Sequence, residues 1–112
     1  MMLHSDSIVI VHLNNPTEKF WGVLKGLDAT GLAIRAISVS SFDEWAFQVA
    51  RNEHQALGLS TMFVPLFRVE RIFLDEQVGE VESYRQRFEQ RTGVTVESYL
   101  GLDDVTTTEV PS

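Results

Sequence analysis

Residues 20–39 read FWGVLKGLDATGLAIRAISV, two apolar-rich runs on either side of the short connection Asp28-Ala29-Thr30-Gly31. Aromatic and β-branched residues favour a pleated, half-buried strand, and a link holding Asp and Gly favours a tight reversal, so the stretch predicts a β-hairpin. Gly22 and Gly26 stand inside the first run, where a side chain would normally pack. Such glycines mark a sharp bend or a close approach of two backbones.

Working outward, residues 7–13 (SIVIVHL) are too short for a helical period and dense in β-branched residues, which predicts a strand before the hairpin. Asn14-Asn15-Pro16-Thr17 closes it, since Asn favours turns and Pro cannot continue a ladder. The hairpin strands are expected over 18–27 and 31–39. The period then changes. Ser41-Phe42-Asp43-Glu44 has the spacing of a capping box, and Phe42, Trp45, Ala46 and Val49 fall on one helical face, so a short helix is expected over about 42–51. Two more strands are expected at 60–64 and 69–74, joined by a tight turn over 65–68 that begins with Pro65. Helical periodicity returns near residues 79–92, with Gly93 as a C-terminal cap and Thr95 capping a second short helix over 96–100. The rest, 102–112, is acidic and threonine-rich, the composition of a frayed tail. The expected organisation is therefore mainly β: a five-stranded barrel unit over 1–75 with an inserted helix, then a helical C-terminal extension over 76–101.

Composition excludes several function classes. The chain of 112 residues has no cysteine, which removes disulfides, thiolate metal sites and a cysteine nucleophile. The N-terminus has no basic-then-apolar leader pattern and no run reaches membrane-spanning length, an expectation of a cytoplasmic protein that does not enter a membrane. Net charge is −7, but unevenly spread: residues 1–75 hold six basic and eight acidic side chains, residues 76–112 three and eight. The barrel is near balance, which leaves a polyanionic partner open.

No motif carries catalytic chemistry. His4, His12 and His54 stand apart without ligand spacing, so neither a metal site nor any cofactor is expected. Neither a nucleophile elbow nor a glycine-rich phosphate loop is present, which argues against an enzyme. Asp43 and Glu44 have a sufficient role at a helix N-terminus, and Glu70 and Asp75 flank Arg71 near the last strand. Most aromatics are needed to fill a small core. Phe67 differs, because it lies in a turn beside Arg68, where a ring can stack on a nucleobase.

The run from Phe20 to Asp28 matches apolar-x-Gly-x-apolar-x-x-apolar-Asp, the opening half of the first Sm motif. With a strand before it and a strand, tight turn and strand closing it, the chain resembles the Sm/LSm/Hfq family of small, strongly bent five-stranded, SH3-like barrels. That resemblance implies a homo-oligomeric ring made by pairing the fourth strand of one copy with the fifth of the next, through Met62 and Val64 on one side and Ile72 and Leu74 on the other. It also implies RNA bound by the turns after strands two and four, at Asp28, Thr30, Phe67 and Arg68. Asp28 occupies the motif's acidic position. Gly31 and Leu32 replace the Asn that follows it in the family, and Pro65-Leu66-Phe67-Arg68 lacks the Arg-Gly of the second motif. These departures point to the alternative on the same barrel, an oligomeric scaffold or protein-interaction module with no nucleic-acid ligand.

Overall fold

The computed structural model describes residues 3–52 and 57–102; His54 and the acidic tail beyond Leu102 lie outside the described residues. Five strands form one antiparallel sheet: β1 (Ile8–Leu13), β2 (Glu18–Leu27), β3 (Gly31–Ser38), β4 (Ser60–Pro65) and β5 (Val69–Leu74), in the order β4-β3-β2-β1-β5. Helix α1 (Phe42–Ala50) lies between β3 and β4 in sequence, and α2 (Tyr84–Thr92) and α3 (Val96–Tyr99) follow β5. The protein is thus mainly β. The sheet is not closed into the expected barrel: β4 and β5 are its two edges and, among the described residues, pair only with β3 and β1 respectively. The three-residue 3-10 turn Leu66–Arg68 joins them, yet they stand at opposite ends of the sheet order, because β5 swings across to β1.

The strand register explains the glycines of β2. Gly22 faces Ala36 on β3, and a Cβ there would run into the carbonyl oxygen of Arg35 and the Cα of Ala36, so the close approach of β2 and β3 requires glycine. Gly26 has open space around it and serves otherwise. The register slips between Leu24 and Gly26, leaving Lys25 as the extra residue of a bulge that bends the strand.

Alternation along the strands divides the core into two clusters. On the outer face, Ile8, Trp21 and Ile37 meet Phe42, Trp45 and Ala46 of α1, Phe88 of α2 and Val96 of α3. This cluster is largely aromatic: Trp21 meets Phe42 edge-on with centroids 5.0 Å apart, and Trp45 stacks on Phe88 at 5.0 Å. Among the described residues no helix covers the inner face. Its residues, among them Val9, Val11, Leu13, Leu24, Leu32, Ile34, Ala36 and Val64, come from the strands themselves and bury one another with Ile72 and Leu74 at the margin. A sheet that hides one face without a second layer has to curl over that face.

Local expectations fail at two helix starts. The Ser41 capping box does not form: a 3-10 turn over Val39–Ser41 precedes α1, Ser41 is already helical (φ −101°, ψ −3°), and its side chain makes no cap hydrogen bond. Ser38, one turn earlier, has the extended backbone a cap needs and accepts from the amide of Ser40. The second helix begins at Tyr84 rather than near residue 79. Ser83 and Gln86 make a reciprocal capping box there, and Gly79, at φ +60°, turns a miniature hairpin in which Val78 and Val81 exchange backbone hydrogen bonds. The caps at Gly93 (φ 81°) and Thr95 form as expected.

Asp75 joins the layers. Only 3% exposed, it follows β5 directly. Its carboxylate accepts from Trp21 Nε1–H at 3.0 Å, from the Tyr84 amide at 2.8 Å and from the Arg85 amide at 2.9 Å. Its own amide donates to the Ile8 carbonyl at 2.9 Å. The first two amides of α2 have no partner inside the helix, so the buried charge is met by donors that need an acceptor. Replacing Asp75 with Ala strands the buried Trp21 N–H and both helix amides. Asp75→Ala should lower unfolding free energy by about 3 kcal/mol or more, and Asp75→Asn by less, as read from urea denaturation followed by tryptophan fluorescence.

Candidate functional site

Two of the turns expected from the sequence to contact a ligand lie side by side. The Asp28–Gly31 turn is shaped by Asp28, whose Oδ1 accepts from the Thr30 amide (2.8 Å), the Thr30 hydroxyl (2.7 Å) and the Gly31 amide (3.3 Å). Chiefly the Thr30 hydroxyl, then its amide, hold the Asp28 carboxyl below the usual carboxylate range. The carbonyl of Thr30 in turn accepts from the amide of Leu66, which opens the 3-10 turn Leu66–Arg68 between β4 and β5. Asp28, Thr30 and Phe67 therefore share one rim of the sheet.

Within that rim the side chains divide into free and engaged. Phe67 is 82% exposed, and Leu27 and Leu66 nearby are also open to solvent. Arg68 points the other way, toward the turn between β1 and β2: its Nε donates to the Asn14 carbonyl at 2.8 Å, and its Nη2 donates to the Pro16 carbonyl at 2.7 Å and to Glu18 Oε1 at 3.0 Å. The Asn14 amide closes the clamp by donating to the Arg68 carbonyl. Lys25, the other cation near this end, pairs with Asp6 at 2.9 Å. Positive charge here is largely satisfied within the protein.

The edges form the second part of the site. Met62 and Val64 on β4, and Ile72 and Leu74 on β5, all lie on the inner face and pack on its cluster. Among the described residues, no backbone hydrogen bond is made along the free side of β4 or of β5. Phe63, on the opposite face of β4, is 59% exposed rather than part of the core expected of most aromatics; its phase, one residue out of step with Met62 and Val64, carries the signal. His12 also faces outward, edge-on to Phe73 at 5.0 Å. Burial first, then the nearby Lys19 and Arg71, lower its pKa below the ordinary imidazole value, against a smaller opposing effect of Glu70.

Among the described residues no group of His, Cys, Asp or Glu side chains is placed to hold a metal ion, and no helix is long and apolar enough to cross a membrane. The carboxylates read in pairs serve as structure. Asp43, in the first turn of α1, pairs with Arg87 at 3.2 Å, Glu70 pairs with Arg71 at 3.4 Å, and Asp75 is the anchor described above.

Two outcomes follow from this geometry. Arg68→Ala should destabilise the fold by about 2 kcal/mol, whereas Phe67→Ala should change it by less than about 0.5 kcal/mol, both read from urea midpoints. Because unfolded His12 takes up a proton at higher pH than folded His12, stability should fall as pH drops from about 7 to 5, and His12→Gln should flatten that slope in the same denaturation series.

Compared with known proteins, the chain matches no protein-family model, no curated protein and no solved structure.

Proposed function

We propose that this chain is a non-enzymatic, self-associating Sm-like protein built on an open five-stranded sheet, in which the open β4 edge of one copy pairs with the open β5 edge of the next. The observation that carries the reading is the strand order β4-β3-β2-β1-β5, with one side of each end strand unpaired among the described residues and with Met62, Val64, Ile72 and Leu74 sharing the inner face at the two edges. Unpaired strand edges are templates for further pairing, and a head-to-tail contact of this kind closes into a ring when its rotation permits. The turn rim is then repeated around the assembly. Single-stranded RNA is the ligand that suits it: Phe67 offers an exposed face for base stacking, with Asp28 and Thr30 beside it.

One observation favours a second reading, an oligomeric scaffold for protein partners without nucleic acid. The cations Arg68 and Lys25 are already paired with Glu18 and Asp6, and the chain carries a net charge of −7, so little positive charge is left for phosphates.

Light scattering should give a mass several times the 12.7 kDa of one chain; a clean monomer at micromolar concentration would remove the ring. Titration with uridine- or adenosine-rich oligoribonucleotides should show salt-dependent binding that Phe67→Ala weakens by about 1–3 kcal/mol. Absence of binding at low salt would leave the scaffold as the function.

A further inference from the structure

The segment between β5 and α2 leaves an apolar groove of about 290 Å³ on the outer face, floored by Ile10, Phe73 and Tyr84 and walled by Val78 and Val81 of the miniature hairpin. Both valines are largely exposed, at 67% and 71%. Scattered exposed valines need no explanation, but two of them standing together over a partly exposed phenylalanine make a contiguous apolar patch.

Resting on the edge pairing proposed above, we infer that the occupant of this groove is Phe63 of the neighbouring copy, so that the C-terminal extension forms a second layer of the subunit interface. Strand parity carries the argument. Within the chain, Met62 and Val64 share the inner face with Ile72 and Leu74, while Phe63 pairs with Ala33 and Phe73 with Ile10 on the outer face. Any β4–β5 pairing that keeps the inner faces continuous places Phe63 on the same face as Phe73 and the two valines.

Charge supports the same occupant. Arg35 is exposed, faces outward, and lies opposite Thr61 on β4, two residues from Phe63. It has no ion pair among the described residues, and neither have Glu76 and Glu82, which line the groove. The Phe63 ring lies over Gly31 with much of its surface open, and in the proposed pairing the unpaired cation on that face would meet the unpaired carboxylates of the groove. Area adds a reason for a second layer. Each edge strand has six residues, so the ladder between copies is a strip only about 20 Å long, while a stable interface covers about 800 Å² on each partner.

Sedimentation velocity over a concentration series tests this on the full chain. Phe63→Ser and the pair Val78→Asp/Val81→Asp should each weaken association about tenfold or more, and combining them should add little, because both remove one contact. Arg35→Glu should weaken it as well and be rescued by Glu76→Arg/Glu82→Arg, a restoration that misfolding cannot mimic. If wild type associates and Val78→Asp/Val81→Asp associates as tightly, the groove assignment is overturned while edge pairing stands. A wild-type chain that stays monomeric overturns both.

Discussion

One buried carboxylate couples the two halves of this molecule. Asp75 sits where the sheet ends and the helices begin, and it takes a hydrogen bond from the indole of Trp21 while also receiving the first amides of α2. A charge in the interior is tolerated only when fully met by donors, and here the donors belong to different layers. The same group therefore fixes the rotation of one of the two buried core tryptophans and the starting point of α2. Phe88 and Val96 reach Trp45 from a chain direction that this junction sets, and Arg85 with Glu97 ties α2 to α3 across it.

What was legible in the sequence was what local periodicity carries. The β-branched run of β1, the apolar runs either side of the Asp28–Gly31 reversal and the i, i+3, i+4 face of α1 all reflect side chains whose burial depends on their own element, and each strand stands close to where its pattern ends. The misreadings fall where two local signals compete. At Ser41 the capping spacing is present but the chain has already entered a 3-10 turn, so Ser38 takes the capping role. At Val78 and Val81 an i, i+3 spacing mimics a helical face, whereas Gly79 at positive φ makes the same spacing a two-residue hairpin.

The site divides in the same way. That Phe67 would project from a turn follows from its neighbours in sequence. The engagement of Arg68 does not, because its acceptors lie about fifty residues earlier and become neighbours only when β5 crosses to β1. Asp75 is hidden for the same reason: nothing beside it in sequence announces an indole from β2 or a helix nine residues on. Residues whose partners are distant in the chain are those a linear reading assigns to solvent or to chemistry.

The strand order also bears on how the polypeptide is made. Of the five strands of this sheet β1 is made first but lies between β2 and β5, so one of its sides must wait for more than fifty further residues. At a synthesis rate of about 5–20 residues per second, that delay is several seconds. During it the nascent β1-β2-β3 meander exposes the strand surface that β5 later covers. An emerging chain is therefore open on its Ile8–Leu13 side to capture by another nascent chain or by a chaperone, a vulnerability that ends only when β5 docks and Asp75 reaches Trp21.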